Sequence, residues 1–515
     1  MEMFKASNFE EDFRLFDEYI NSGRSQAFYN LESLCICFPG RLTGSDALES
    51  SLDFLTELGC RYMNLPNLKV QSVCVPCWDR GNSDEEKLVV QINPGTVEFP
   101  LPNPTRREIM CLANGMSIGA KNVRGKIIVI KSFEELKILG GDNSQGVNFI
   151  YGNIVLIDYS PFLLYKDQTK YRGYGPIECS KYGAVACITR SLAPNNSTSG
   201  IHTGTMHPFP EDTKAIPAAC ISIEDSDLLT RLNKRGYELI GELNLPCSIN
   251  AQRPTRMSRN VIFEIEGNDN AIKNQVVLLG AHTDSWDCQH NGCQGAHDDG
   301  QGVIILLELL KIIKELNFKP RRTIRIVLFV DEEVRQSGAQ AYCDECSDHE
   351  NIIAAIETDL GAGPVIGWGF TGSNEGRDVL REIISPLNFF SKDKIEWWEN
   401  QLASKNQDIE PSNIKNILTN EEDNINRYAV NYVDEEWEGW GIDTRPLIFQ
   451  RNIPGILLRH NDTFWNNDYF HHHHTLSDSI NNVDPKLLEL NLKILISTAW
   501  LLANHDKVIP RKKSM

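Results

Sequence analysis

The sequence predicts a mixed, mainly parallel α/β sheet flanked by helices and interrupted by a separate β-rich domain. Two observations carry that expectation. From Asn260 onward, apolar strand-like runs alternate with amphipathic helical ones, as βαβ units require. Residues 117–250 instead hold short β runs set between Gly, Pro and polar turns. With 515 residues and 41% hydrophobic content, the chain has the apolar side chains for such cores, about three domains by length.

Taken in order, residues 1–30 are polar and acidic, with neither a basic n-region nor an apolar h-region, so no signal peptide is expected in the chain as given. Residues 28–64 read as helical and lead into the Pro-bearing strands LKVQSVCVPCWDR. The main domain is therefore expected to begin before the insert and resume after it: 1–116 as its N-terminal part, 117–250 as the insert, 251–515 as the main part. Within the insert the β runs are GKIIVIKSF, GNIVLIDYS, YGAVACITRS, AIPAACISIE and YELIGELNLP. Beyond it come QVVLLGAH, the helix VIILLELLKIIKEL, then TIRIVLFVDEE, NIIAAIETD, IPGILLRH and a last helix PKLLELNLKILISTAWLLANH. Residues 396–438 are rich in Asn, Glu and Asp and read as a surface insertion. The apolar run Val303–Leu310 contains Glu308 and is short of the roughly 20 residues that span a bilayer, so no membrane span is expected.

Charge narrows the partners. Lys+Arg of 51 against Asp+Glu of 70 leaves a formal charge of -19, which repels phosphate backbones and anionic membrane surfaces, so nucleic acid is not an expected partner. Fourteen cysteines include the pairs Cys74/Cys77 and Cys343/Cys346, too far apart in sequence for a zinc ribbon; ordinary thiols or a local disulfide are expected. Sequons at Asn195, Asn196 and Asn461 fit a secreted protein.

In an open α/β sheet the ligand site lies beyond the carboxyl ends of the strands. There the chain places, one after another, His282-Thr283-Asp284, Asp298-Asp299-Gly300, Glu332-Glu333 and Asp359, with His474 before the last helix. A hydrolytic di-metal site needs a bridging carboxylate, a His and a carboxylate for each ion, and a free carboxylate as base. Asp298, in a Gly-flanked loop, suits the bridge, and Asp284 is placed to orient the His282 ring. Of Glu332 and Glu333, one can face an ion and the other the water. Any single acidic residue at a strand end is usually a solvated loop residue or a helix cap, as Asp298 and Asp299 could be here. It is the joint occurrence, one per βα turn, that points to a metal centre.

Longer motifs carry a resemblance. They include Gly40-Arg41-Leu42-Thr43-Gly44-Ser45, His282-Thr283-Asp284-Ser285-Trp286-Asp287, Asp331-Glu332-Glu333, Glu357-Thr358-Asp359 and Phe470-His471-His472. The chain resembles the co-catalytic di-zinc exopeptidases, nearly end to end. That resemblance implies two zinc ions per chain and an insert of protease-associated type. It implies one ion on His282 and Asp359, the other on Glu333 and His474, and Asp298 between them. His474 is selected from the four consecutive histidines because the family ligand lies four residues before the Asp of Asp478-Ser479. Glu332 is implied as general base and His473 as a stabiliser of the oxyanion. Small peptides with free termini, dipeptides above all, are the implied substrates, cut by a homodimer in a secreted or lysosomal setting. Glu438-Gly439-Trp440-Gly441-Ile442-Asp443 resembles a substrate-side loop of the family.

Two other classes stay open from sequence: a non-catalytic, receptor-like relative that keeps the fold alone, and a single-zinc acyltransferase resembling glutaminyl cyclase. Metal stoichiometry separates the three.

Overall fold

The computed structural model describes residues 9–97, 105–161, 165–194, 200–249, 254–288, 293–391, 433–434, 442–460 and 469–512. The sequons at Asn195, Asn196 and Asn461, residues 438–441, and 396–438 apart from Val433–Asp434 lie outside them.

Eight strands form the main sheet, in the order Lys69–Pro76, Thr255–Ile265, Thr323–Phe329, Val276–His282, Ile352–Glu357, Gly455–His460, Val365–Thr371, Val433–Asp434. Its centre is parallel, with Val276–His282 between Thr323–Phe329 and Ile352–Glu357, and Gly455–His460 parallel to Ile352–Glu357. On either side of that centre the pairings turn antiparallel, at Lys69–Pro76 with Thr255–Ile265, Thr255–Ile265 with Thr323–Phe329, and Val365–Thr371 with Gly455–His460. The sheet is thus mixed; the antiparallel pairings carry the same apolar runs as parallel ones and cannot be told from them by periodicity.

The helix Gln301–Glu315 and the helix Pro485–Asn504 pack against each other and against the central strands, which explains why both are apolar on nearly every side. Asp484 caps the second, accepting from the Lys486 N–H at 2.8 Å with Pro485 in the first turn. That helix is long and apolar enough to cross a membrane, but 94% of its apolar window is buried inside the fold.

The insert leaves and rejoins the sheet at one place. Pro76 and Thr255 are register partners at the end of an antiparallel pair, so the whole insert is the connection of a long hairpin. It closes into a seven-stranded barrel, in the order Lys87–Asn93, Thr105–Ala113, Ala218–Ile221, Ala186–Arg190, Ile154–Ile157, Ala120–Ile130, Glu238–Leu245. The barrel therefore starts at Lys87, not at the 117 that composition suggested. Leu88, Val90, Ile92, Ile109 and Cys111 point into the same core as Ile127, Ile154 and Leu243, a long-range pairing that a local change in composition does not mark. All fourteen cysteines are free thiols, so neither CxxC pair is bridged.

Candidate metal centre

The chemistry-bearing residues meet at the carboxyl ends of the parallel strands. Thr283 ties two of those ends together: its N–H and its hydroxyl both donate to the Phe329 carbonyl, at 2.9 and 2.7 Å. This brings the turn after His282 beside the turn carrying Glu332 and Glu333. Asp284, wholly buried, then accepts the Glu332 N–H on Oδ1 and the Glu333 N–H on Oδ2, each at 3.2 Å, with the Thr43 hydroxyl at 2.8 Å. The orienting partner of the His282 ring is the backbone carbonyl of Asp284, 3.0 Å from Nδ1; the Asp284 carboxylate stands 3.8 Å away, beyond hydrogen-bond distance. Sequence reasoning had given that task to the side chain. The side chain instead positions the two glutamates.

With Nδ1 so engaged, His282 Nε2 faces Asp298 Oδ1 at 3.1 Å and Asp359 Oδ1 at 3.3 Å. On the other side, His474 Nε2 lies 2.7 Å from Glu333 Oε2 and 3.4 Å from Asp298 Oδ2. Asp298 is the carboxylate common to both groups. Asp299, which the metal reading had left aside, faces His282 and Asp359 as well, but its oxygens take the Gln301 amide, the Gly302 N–H and the His282 N–H. The two neighbouring aspartates thus divide the work, one holding the start of the helix and one facing the cleft. The backbone reaches left-handed conformations at Asp331, Gln336 and His474 (φ of 70°, 56° and 55°), a clustering of strain usual at functional sites.

The insert also reaches the centre, which sequence reasoning missed. His202 Nε2 is 3.0 Å from His473 Nδ1, and the Thr203 carbonyl accepts from His474 Nδ1 at 2.8 Å. Tyr165 stacks on His202, and Trp286 stacks on His474. Nothing in metal-ligand spacing marks His202, since its partners lie 271 residues further along the chain.

Comparison with known proteins bears on this arrangement. Residues 260–499 match the model of peptidase family M28. Carboxypeptidase Q of Bos taurus is 28% identical over 474 residues, spanning 92% of this chain and 84% of that protein, and the Homo sapiens protein matches to the same extent. The crystal structure of a peptidase M28 precursor from Shewanella amazonensis SB2B superposes with a TM-score of 0.76 at 25% identity, covering 98% of this chain and 99% of that one. Residues 260–499 are thus a peptidase M28 domain, in a chain similar to carboxypeptidase Q over most of its length. A zinc aminopeptidase from Bacillus subtilis shares the fold, with a TM-score of 0.58 at 17% identity over 94% of this chain and 96% of that one. This protein is a peptidase, with peptides as its substrates.

The residues of the M28 centre fit zinc on their own chemistry. Asp298 Oδ2 and Glu333 Oε1 are buried, and among the described residues neither accepts a hydrogen bond. Imidazole nitrogens and carboxylate oxygens crowded together without mutual alignment are what a shared cation gathers, and this N/O donor set suits zinc. The electrostatics agree. Burial, together with Asp298 and Asp359 beside it, lifts Glu333 well above the usual carboxylate range; burial and the same neighbours do so for Glu332. Burial raises Asp359 to about 6 despite His282. For Asp298 burial also raises the pKa, yet the bond and charge of His282 outweigh it and the group stays below its ordinary value. His282 is pushed down by burial and up, by more, by Asp359 and Asp298. Burial holds His473 well below the usual range and His474 at about 4. Of the eight residues singled out by sequence, Glu332 alone keeps appreciable exposure.

These shifts fix a sign. His282 and Glu333 are both shifted towards their protonated forms in the metal-free protein, and a bound cation favours the deprotonated ones. Zinc added in weak buffer should release protons, and apparent affinity should fall with falling pH, more steeply below about 6 where Asp359 joins. Titration calorimetry in buffers of different ionisation enthalpy reads both quantities. Proton uptake, or affinity independent of pH, would contradict these directions.

Proposed function

We propose that this protein hydrolyses small peptides with free termini, dipeptides in particular, using two zinc ions and Glu332 as general base. The observation that carries the reading is Asp298, whose two oxygens face His282 on one side and His474 on the other. His282 and Asp359 would hold one ion, Glu333 and His474 the second, with Asp298 shared. Zinc in such a site polarises a carbonyl and lowers the pKa of water towards about 7. Glu332, outside both ligand groups, takes the proton of the attacking water and returns it to the leaving amine. His473 offers a ring N–H to the oxygen that becomes negative at the tetrahedral centre.

Zinc analysis of the purified protein together with a dipeptide panel tests the reading. The expected result is about two zinc per chain and cleavage of free dipeptides that is lost when the amino terminus is acetylated. One zinc per chain would favour the acyltransferase class, and no tightly held zinc with no cleavage would favour a binding protein. The homodimer implied by resemblance belongs to the same proposal, and sedimentation of the zinc-loaded protein reads it.

A further inference from the structure

His473 and His474 are consecutive, stacked with ring centroids 3.8 Å apart, and both present Nε2 to the same oxygen, Asp298 Oδ2, at 3.1 and 3.4 Å. By distance alone either could be the ligand. Their Nδ1 atoms meet different partners, and both partners come from consecutive residues of the insert.

For His474 the partner is the Thr203 carbonyl, which can only accept. The proton of the neutral ring therefore sits on Nδ1, and Nε2 keeps a lone pair for a cation. For His473 the partner is His202 Nε2, which can donate or accept. The other nitrogen of His202 decides between the two. His202 is wholly buried, and its Nδ1 meets no hydrogen-bond partner among the described residues. Were His473 the donor, a neutral His202 would carry its proton on that Nδ1, leaving an orphaned buried N–H, the rarer and costlier defect. It would also turn the His473 Nε2 lone pair towards a carboxylate oxygen. With His202 Nε2–H donating, every ring proton but that of His473 Nε2 has a partner, and that one enters the cleft beside Asp298.

We infer that the insert sorts these two histidines by tautomer: Thr203 makes His474 a metal ligand, and His202 makes His473 a hydrogen-bond donor to the reacting oxygen. This deepens the hydrolytic reading above and rests on it for the role of the donor. His202 is a positioning residue, since it acts through His473.

The segment is built to hold that geometry. Arg172 donates to the Thr203 carbonyl at 2.8 Å and to the Thr205 carbonyl at 3.2 Å, the His202 N–H donates to Ser191 Oγ at 2.9 Å, and the Thr203 hydroxyl donates to Asn114 Oδ1 at 3.2 Å. Gly204, at φ 154°, lies where a Cβ would stand 2.4 Å from Arg172 Nη1, so only glycine lets that guanidinium reach the two carbonyls.

The test uses the full chain, labelled with ¹⁵N-histidine, metal-free and zinc-loaded, and the variants His202→Met, which removes the donor, and His202→Gln, whose amide can restore it. Ring-nitrogen NMR, with His473→Asn and His474→Asn to assign signals, should find His473 protonated on Nε2 and His474 on Nδ1. In His202→Met the His473 signal should shift from that tautomer. There kcat should fall about tenfold or more, with KM and zinc content unchanged, and His202→Gln should recover most of it. An unaltered His473 tautomer, a His202→Met kcat within about twofold of the parent, or loss of zinc in both variants would each overturn the inference. The NMR readout needs no turnover. A parent protein that cleaves no peptide would thus defeat the proposed function while leaving the tautomer assignment to be judged separately.

Discussion

Glu332→Gln is expected to lower kcat by about 10²–10⁴-fold while zinc content and fold are retained. The two side chains have the same shape, and the Gln Oε1 can still accept from the Gln336 amide, which now donates to Glu332 Oε1 at 3.0 Å. The loop does not depend on the carboxylate either, because it is the backbone N–H of residue 332 that Asp284 holds. What disappears is the capacity to take a proton. Glu332 also stands in neither ligand group, so metal should stay. Thermal stability offers a second sign: burial and the charges of Asp359, Glu333 and Asp298 disfavour a carboxylate at this position, so a neutral amide should leave the metal-free melting temperature unchanged or raised. Steady-state rates, zinc per chain and a melt on the same preparation measure all three. A parental rate at full zinc occupancy would dismiss Glu332 as base, and a lost melting transition would mean that the comparison reads unfolding instead.

What sequence could show here follows from the range of each interaction. His282 ends a buried strand and Glu332, Glu333 and Asp359 stand just past two others, and an unbroken apolar run followed by acidic and histidine residues is a local pattern. Asp298 is the sequence's choice of bridge over its neighbour Asp299. The fold supplies the physical distinction between them, Asp299 being engaged with Gln301 and Gly302 and Asp298 turned to the cleft. His202 has no local signature, because its meaning arises from the approach of the barrel to the main domain. The barrel's first two strands were equally hidden: Leu88, Val90 and Ile92 alternate as any half-buried strand does, and the identity of their partner is a tertiary fact. Arg41 was noticed as part of a motif, with no indication of what its charge does.

Arg41→Met is expected to destabilise the protein by about 3–5 kcal/mol and to weaken zinc binding. Arg41 is wholly buried and bonded entirely to carbonyls: Nε to Thr283 at 2.9 Å, Nη1 to Gln294 at 2.6 Å and Phe38 at 3.3 Å, Nη2 to Gly295 at 3.1 Å. Two opposing effects compete. Methionine fills much of the volume and removes the cost of keeping a guanidinium out of water, a gain that can make replacing a complete buried polar group neutral. Here only one side of each bond is removed. Of the four carbonyl oxygens, that of Gly295 keeps the Gly300 N–H at 2.9 Å, while those of Thr283, Gln294 and Phe38 lose the guanidinium, at about 1–3 kcal/mol for each one left unpaired and dry. The loss therefore outweighs the gain. It reaches the metal centre because Thr283 follows His282, and Gly295 precedes Asp298 by three residues in a left-handed turn (φ 55°) where a Cβ would stand 2.9 Å from Arg41 Nη2. Lysine should not rescue, since one ammonium cannot serve carbonyls spread across a planar fork. Denaturant unfolding of the metal-free protein gives the stability change, and zinc titration gives the affinity. A variant within about 1 kcal/mol of the parent would show that water or loop movement satisfies those carbonyls, and that Arg41 does not hold the ligand loops together.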